Sequence, residues 1–507
     1  MSVRPCLLHV LTLGIAVFCA GGASFAQSPS ADVSPGQPAP AGASASNNGG
    51  AAVAVPTPPP SGNFLRRFIK AYADDWKELP STDAAPAFRS TPSPVEGPPF
   101  PFSDWPYGGS VVITKPWTQA GPLMQALDSG PLAEGWKNSG VQIYGWANFG
   151  FNVSTSDKPG YANLPAAYAE KPNTIQADQE VLYIERQPDT VQTDHFDWGF
   201  RVASLYGLDY RFTTAKGVFS EQLLKHNREY GYDPVMVYAD LYFPHVAQGM
   251  DVRIGRYISL PDIEAQLAPN NYTYSHSLTY TYDCYTQSGV NTTTKLNDHW
   301  LFQAGLSAGC EAVPWTRPDA EPTFNTCLAY TWKQGGDNLY LCGNSINDGK
   351  YAYNDLSAYY LTWYHKINGS WHTATESWYQ YEKQTPNVLN PNSGSLLETN
   401  ANGAVCATRT QLTCFAPEWA MVNYVEKQLS KHDYLTIRNE YMDDMRGQRT
   451  GFKTKYTEHL LGWGHWIGTT VLLRPELRLE RSYDVPAYDN GTKKNQFMVA
   501  GDVIYFF

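Results

Sequence analysis

The chain has 507 residues and a formal net charge of -11, with 48 acidic against 37 basic side chains. An acidic chain with dispersed cations gives no support to nucleic-acid binding. Aromatic residues make up 14% of the chain, with 34 Tyr and 15 Trp, which favours long strands with aromatic belts over an aliphatic soluble core. The mean hydropathy of -0.40 fits a soluble exported protein or a membrane barrel, because only alternate residues of a barrel strand meet lipid.

The N-terminus predicts an export signal. Arg4 supplies a positive charge, residues 7–20 are apolar, and residues 24–26 form a small-x-small cleavage site. Residues 1–26 are therefore expected to be removed as a signal peptide. The apolar run is shorter than the roughly 20 residues that a helical membrane anchor needs, and no later run of the chain reaches the length of a spanning helix.

Three segments precede the patterned part of the chain. Residues 27–62 are rich in Ala, Pro, Ser and Gly and predict a disordered linker. Apolar residues recur on one face over 63–78, which predicts a short amphipathic helix in the periplasm. We expect this helix to dock on the protein, with membrane-surface or oligomer contact as the alternatives. Residues 79–139 form a Pro-rich lead-in with a short helix over 122–137, and whether this piece fills the following domain or lies below it stays open.

From Gly140 onward the residue pattern changes to period two, which predicts strands with unlike faces. Over 196–212 the aromatic and apolar residues share one parity, and charged and small residues such as Asp197, Arg201 and Arg211 share the other. A strand of about 9–11 residues crosses a bilayer. Aromatic-rich strands of at least that length, with charge on the opposite face, favour a membrane barrel over a soluble sandwich.

The predicted fold is all-β, an antiparallel up-and-down transmembrane barrel of about 16 strands over 140–507. Long links alternate with short turns, as in outer-membrane barrels. Two places fit this strand prediction poorly: residues 177–187 alternate weakly, and Pro475 lies inside a predicted strand. The predicted strands are 141–154, 177–187, 196–213, 235–244, 250–259, 273–294, 299–310, 325–333, 338–346, 355–366, 371–383, 418–429, 433–446, 453–466, 470–482 and 494–507.

Six cysteines follow the predicted cleavage site, and an even count in an exported chain permits disulfides. Cys406 and Cys414 lie in the longest predicted external loop and are expected to close it. Two further pairs flank short turns at nearly equal distances, and cross-strand pairing is plausible for both: Cys284 with Cys310, and Cys327 with Cys342. Pairing of Cys310 with Cys327 competes, and unpaired thiols are the remaining alternative. No cysteine or histidine cluster has zinc spacing, so no metal and no cofactor are predicted.

The C-terminal part carries a family resemblance. The runs LTIRNEYMDDMRG (435–447), LLRPELRLERSYD (472–484) and QFMVAGDVIYFF (496–507) resemble the OmpL-like β-barrel porin family, and YGWANFGFNVSTS (144–156) is similar to its opening strand. The resemblance covers 100–507 and implies a barrel and a porin, with no catalytic residues to transfer. Phe507, the last residue of an aromatic strand, resembles the signal that the outer-membrane assembly machinery reads, and its parity predicts that it faces lipid.

A barrel of this size is expected to enclose a water-filled lumen. Charged residues of inward parity are the candidates for lining the pore, and ion-paired struts that only hold the wall are the alternative. Arg256 has the wrong parity unless Gly255 marks a bulge. The pore-lining candidates are Arg201, Asp209, Arg211, Arg253, Glu376, Arg438, Glu440, Arg474, Glu476, Arg478 and Glu480. Aromatic candidates, for stacking on sugars or for filling space, are Tyr144, Trp146, Tyr360, Tyr364 and Trp378.

The leading hypothesis is passive diffusion of small hydrophilic solutes, with sugars as one class, across the outer membrane. The expected partners are outer-membrane lipid, the barrel assembly machinery and the solutes, and a homo-oligomer is left open. A scaffold or adhesin that uses the 384–417 loop is the second hypothesis. A barrel enzyme is the third, but His195, Asp197, His245 and Asp251 show no recognisable catalytic spacing, so no catalytic residue is predicted.

Overall fold

The computed structural model describes residues 62–77 and 121–507, apart from 191, 260–261, 317–320, 333–336, 353–354, 369, 397–401 and 431. These residues all belong to one compact structural unit. The predicted signal peptide 1–26, the linker up to residue 61 and the lead-in over 79–120 lie outside the described residues.

The described chain forms sixteen antiparallel strands that close into a barrel. Each strand pairs with its neighbours in sequence, and β1 pairs with β16 over Trp146–Ser154 and Met498–Phe506 to close the ring. The predicted fold class is confirmed. The strands are β1 (Val141–Ser154), β2 (Ile175–Arg186), β3 (Asp197–Gly207), β4 (Gly231–Phe243), β5 (Met250–Ile258), β6 (Thr286–Lys295), β7 (Trp300–Cys310), β8 (Thr323–Trp332), β9 (Asp337–Ile346), β10 (Ser357–Lys366), β11 (Trp371–Pro386), β12 (Thr413–Gln428), β13 (Asp433–Asp444), β14 (Thr454–Ile467), β15 (Val471–Ser482) and β16 (Asn495–Phe506).

Side chains alternate between the two faces of the wall as the period-two pattern predicts. In β15 the charged Arg474, Glu476 and Arg478 point inward and are buried, whereas Leu477 and Leu479 point outward and are exposed. This distribution is the reverse of a soluble protein, in which charge faces water. It is the distribution expected of a wall whose outer face meets lipid.

The links between strands define two ends of the barrel. The loop end carries the long links, such as 155–174, 208–230, 259–285 and 387–412. The turn end carries short connections such as 296–299 and 468–470, together with the start of β1 and the end of β16. Because the strand number is even, both termini of the barrel sequence emerge at the turn end.

In the described part of the chain before the first strand there are three helices: α1 (Phe64–Asp75), α2 (Pro122–Asp128) and α3 (Ala133–Ser139). The Asn63 side chain accepts a hydrogen bond from the backbone N–H of Arg66 at 3.0 Å, which satisfies one of the free donors at the start of α1. Gly140, with a φ of +66°, ends α3 and leads directly into β1. Among the described residues, no helix has both the length and the apolar character needed to cross a membrane.

Two predicted strands are wrong at their ends. The predicted 196–213 strand stops at Gly207, whose φ of +150° turns the chain, and Tyr210–Thr213 form a short helix, α4. Leu208 and Tyr210 are therefore buried and not lipid-facing. The predicted 273–294 strand begins only at Thr286, because the residues before it leave the wall.

Two irregular positions have a physical explanation. Pro475 lacks the N–H that a ladder needs, and the β14–β15 register is interrupted beside it, between the pairs Gly462–Glu476 and His465–Leu473. Gly255 has a φ of +139°, and the next residue, Arg256, is buried and pairs with Asp233 despite its parity, although the registers of β5 with β4 and β6 continue without a shift.

Candidate pore and its internal loop

The lumen is crossed by the link between β5 and β6, residues 259–285, which we call the internal loop. Its described residues are buried, except for the half-buried Asn270 and Tyr282. The segment alternates aromatic and hydroxyl side chains from Tyr272 to Tyr282. Hydroxyls can satisfy charged groups on a surrounding wall, which allows such a chain to be buried. The Ser277 hydroxyl accepts from the N–H of Tyr280 at 3.0 Å and starts a helical turn, α5 (Leu278–Thr281).

Two wall arginines donate to backbone carbonyls of the internal loop. Arg438 of β13 donates from Nη1 to the Ser275 carbonyl at 2.6 Å. Arg474 of β15 donates to the carbonyls of Ala268 and Asn271, both at 2.7 Å. Charge-assisted bonds of this length are stronger than neutral ones, so these arginines fix the path of the loop.

Two wall glutamates accept from backbone N–H groups of the same loop. Glu476 of β15 accepts from Tyr274 at 3.0 Å, and it also accepts from the N–H of Ser275 at 3.2 Å. Glu440 of β13 accepts from the N–H of Leu278 at 2.9 Å. Four predicted pore-lining residues are therefore the residues that hold the internal loop across the lumen.

The lumen arginines are also paired with carboxylates on the wall. Each pair joins adjacent strands or neighbouring positions, and the partners are nearly fully buried. The ion pairs are Arg201–Glu185 at 2.6 Å, Arg253–Asp240 at 2.8 Å, Arg256–Asp233 at 2.7 Å, Arg438–Glu458 at 2.8 Å, Arg474–Asp502 at 2.5 Å, and Arg478 with Glu458 at 2.8 Å and Glu480 at 2.9 Å.

The predicted aromatic residues point inward but do not present free faces. Tyr144 stacks on Tyr183 with ring centroids 4.8 Å apart, and Trp146 lies 5.4 Å from the same ring. Trp378 donates to the carbonyl of Thr279 on the internal loop at 2.7 Å. Tyr360 and Tyr364 are buried on the same inner face of β10. In this conformation these rings fill space.

The predicted lumen residues are buried in this conformation, and the water-filled lumen stays a prediction. Every predicted charged or aromatic lumen residue is at most 7% exposed, apart from Arg211. Arg211 is half-buried and lies on α4, outside the strands, where its guanidinium is 4.7 Å from the Tyr161 ring. Asp209 also lies beyond the end of β3 and is buried, accepting from the Gln179 amide at 2.8 Å.

A second layer covers the internal loop at the loop end. Tyr168, from the β1–β2 link, stacks on His276 with ring centroids 3.7 Å apart. Its carbonyl accepts from the Tyr274 hydroxyl at 3.1 Å. Burial lowers the pKa of His276 well below its usual value, so the ring is neutral beneath the covering tyrosine.

The two ends of the internal loop meet at a carboxyl cluster. Asp262, Asp283 and Glu376 of β11 are buried, and their carboxylate oxygens lie within 4.8 Å of one another. Burial raises the pKa of Asp262 and of Asp283 well above the usual value, so protonated carboxyls can share hydrogen bonds here. Carboxylates are also ligands for divalent cations, but an acidic cluster alone does not define such a site.

The described residues contain three disulfides, two at the loop end and one midway along β8 and β9. Cys284, at the end of the internal loop, is bonded to Cys310 at the end of β7. Cys327 and Cys342 face each other in the β8–β9 register and are bonded. Cys406 and Cys414 close part of the β11–β12 link. The first of these bonds ties the internal loop covalently to the wall.

Loss of that tether should loosen the internal loop. In the variant C284S/C310S we expect amide hydrogen exchange over 262–283 to speed up by about tenfold, because hydrogen bonds and ion pairs alone then hold the segment. The matched control is C406S/C414S, whose bond lies between β11 and β12 and should leave exchange over 262–283 unchanged. Equal acceleration in both variants would contradict the tether.

Two of the residues considered for catalysis, Asp197 and His195, have contacts in the connection between β2 and β3. Asp197 pairs with Arg186 at 3.0 Å and accepts from the N–H of Asp189 at 2.8 Å. His195 contacts the exposed Asp194 at 3.1 Å. These contacts stabilise the β2–β3 connection.

Comparison with known proteins identifies the family. The family described as "Putative beta-barrel porin-2, OmpL-like" matches residues 140–507, which is well over half of the chain. The chain belongs to this family. The match begins one residue before β1, so the porin unit is the barrel. No curated protein matches the sequence.

Solved porins are similar to this OmpL-like porin in fold. An anion-selective porin from Comamonas acidovorans has a TM-score of 0.46 at 10% identity, covering 72% of this chain and 99% of its own. The outer membrane channel DcaP of Acinetobacter baumannii has a TM-score of 0.44 at 9% identity, covering 72% and 97%. OmpT of Vibrio cholerae has a TM-score of 0.42 at 12% identity, covering 72% and 97%. Such distant likenesses do not indicate what this barrel conducts.

Sequence reasoning missed most acidic partners of this porin's arginines. Glu458 of β14 and Asp502 of β16 lie on the inner face and are buried, and each pairs with a predicted lumen arginine. Their inward parity in two regular strands is visible in the sequence. The contacts of the internal loop had no comparable signal, because they join residues far apart in the chain.

Proposed function

We propose that this porin is an outer-membrane channel for passive diffusion of small hydrophilic solutes and that the internal loop controls passage. The supporting observation is the attachment of residues 262–285 across the lumen by charged wall side chains, among them Arg438, Arg474, Glu440 and Glu476. A loop held in this way narrows a barrel that would otherwise enclose an aqueous channel.

Passage in this proposal depends on movement of the internal loop. Four of the candidate lining residues are hydrogen-bonded to it, so solutes pass when the loop shifts toward the wall or toward the loop end. The same charges then face water and impose the field that selects among solutes. Sugars remain one candidate class, through Tyr144, Trp146 and Trp378, which become available for stacking only after that shift.

Purified protein in planar bilayers tests this function. We expect the wild-type barrel to show small, fluctuating ion currents, and vesicles that contain it to admit small hydrophilic solutes. Sugars and amino acids of matched size should be compared in the vesicle assay to define the solute class. The proposal fails if verified, membrane-inserted barrels carry no current both as wild type and with the internal loop shortened.

The filled lumen also supports a second candidate, a non-conducting scaffold or adhesin. The inner face is packed with ion pairs, and long links such as 387–412 extend from the loop end. A barrel that is stable and inserted, and whose shortened variant also carries no current, would favour this candidate over the channel.

We also propose that Phe507 acts as the assembly signal at the turn end. Its N–H donates to the Gly145 carbonyl at 2.9 Å, and its carbonyl accepts from the N–H of Gly145 at 3.2 Å, so the backbone of Phe507 is itself paired with β1. Phe507→Ala should therefore lower the amount of folded barrel in the outer membrane several-fold while leaving the wall intact. Phe497→Ala, on the same outer face of β16, is the control. Normal membrane levels of Phe507→Ala would remove the signal role.

A further inference from the structure

Helix α1 is fixed at the turn end of the barrel beside its outer face. The Asp75 carboxylate accepts from the N–H of Thr469 at 2.9 Å and from the hydroxyl of Thr470 at 2.7 Å. The indole of Trp76, the residue after the helix, donates to the same Thr470 hydroxyl at 2.9 Å. The Tyr72 hydroxyl donates to the Phe506 carbonyl at 2.5 Å. The helix is thus anchored to the β14–β15 turn and to the end of β16.

The same helix reaches the lipid-facing surface of the wall. Tyr505 is on the outer parity of β16 and is partly exposed. Its ring centroid lies 5.4 Å from that of Tyr72 and 6.3 Å from that of Trp76. Aromatic residues at the end of a barrel strand occupy the membrane interface. The α1 surface next to Tyr505 is therefore continuous with a surface that meets lipid.

An apolar stripe on α1 extends this surface. Leu65 is 60% exposed, Ile69 is 58% exposed and Trp76 is 47% exposed. With the buried Tyr72 they follow a spacing of four, three and four residues, so they share one face of the helix. In the described part of the chain, this stripe is left open to the outside.

Cationic side chains line the edge of that stripe. Arg66, Lys70 and Lys77 are exposed and follow their own helical spacing, one position beyond Leu65, Ile69 and Trp76. Asp74 pairs with both lysines on the surface, so the three cations of this edge outnumber its one carboxylate. An apolar stripe flanked by cations is the arrangement of helices that lie in the headgroup region, where acyl chains and phosphates meet.

We propose that α1 binds phospholipid of the leaflet that surrounds the turn end of the barrel. Leu65, Ile69 and Trp76 enter the acyl boundary, and the adjoining cations contact lipid phosphates. A second copy of the chain would also cover an apolar stripe, but continuity with Tyr505 and the cationic edge favours lipid. This inference rests on the barrel and on α1, and it holds whether or not the barrel conducts.

Spin labels on the exported, full-length protein test the proposal. The described cysteines are all paired, so a cysteine introduced in α1 can be labelled selectively. Ile69→Cys places the label in the apolar stripe, and Lys70→Cys is the matched control on the cationic edge. Neither side chain packs on the barrel, so both variants should fold. The protein is reconstituted in phosphatidylethanolamine–phosphatidylglycerol vesicles.

We expect the ratio of oxygen to nickel-chelate accessibility to be several-fold higher at 69 than at 70, because oxygen concentrates among acyl chains and the chelate stays in water. Equal, water-like ratios at both sites would overturn the proposal. Spin–spin broadening at 69 with low access of both reagents would assign the stripe to a second copy, which also overturns it. Changing the three cations to Gln should reduce the ratio at 69 without changing the heat-induced unfolding of the barrel; an unchanged ratio would overturn the phosphate contacts.

Discussion

Shortening the internal loop should raise the single-channel conductance by about an order of magnitude, because a barrel of 16 strands without an inserted segment leaves an aqueous channel. Residues 263–282 are replaced by a short Gly/Ser linker, which keeps Cys284 and its bond to Cys310. Since β5 and β6 are paired neighbours, a short linker spans the gap. Planar-bilayer recordings measure the result.

The shortened barrel should still fold. The β-ladder and the outer face are untouched, and the charges released from the loop, such as Arg474 and Glu476, gain water in the opened lumen. A linker of the same kind in place of 389–395, in the external β11–β12 link, is the control and should leave the conductance unchanged. A folded, inserted barrel of unchanged conductance after shortening of the internal loop would show that this loop does not control passage.

Removing the Arg438 side chain should destabilise the barrel by about 3–5 kcal/mol, the cost typical of breaking a buried ion pair by removing one partner. Arg438 is fully buried. It pairs with Glu458 at 2.8 Å and donates to Ser275 at 2.6 Å and to Thr273 at 3.0 Å. Arg438→Ala therefore removes a link within the wall and a link to the internal loop at the same time. Reversible urea unfolding in lipid or detergent measures the free-energy change.

Two further variants serve as comparisons for Arg438→Ala: one keeps the charge at position 438, and the other removes an arginine from the outer face. Arg438→Lys keeps the charge but loses the planar fork that contacts several partners, so an intermediate loss of stability is expected. Arg481→Ala, on the outer face of β15 with its guanidinium 5.2 Å from the Tyr483 ring, should change stability little. A small effect for Arg438→Ala, similar to that of Arg481→Ala, would contradict the role of Arg438 as a buried strut.

The strand pattern could be predicted because it is local. Alternation over a few residues marks β15 and most of the wall, and the order of long and short links follows from the spacing of such segments. The same local signal gave a wrong strand start at residue 273, because the alternating residues there leave the wall. Residues 272–282 alternate aromatic and hydroxyl side chains, apart from Leu278, and period two records two unlike faces without showing that one of them meets lipid.

The candidate site was predictable only in part. Inward parity identified Arg438, Glu440, Arg474 and Glu476 as lumen residues, but their partners lie on the internal loop, more than a hundred positions away in the chain. No pattern within a strand encodes such a contact. The extended strand predicted over 196–213 likewise failed at Gly207, where the chain turns and contacts 177–178 through Leu208 and Asp209.

The sequence by itself determined the barrel, its strand number and the inward placement of its charges. Each strand has one face toward lipid and one face toward the inside, and this requirement is visible in the alternation of its own residues. Only the tertiary structure decided whether the inside is water or protein. The strands enclose a space that water, ions or a loop could fill. The alternation of residues along the strands is similar whichever of these fills it. The hydrogen bonds from distant wall residues to 262–285 select the loop, so long-range contacts decide what fills the barrel.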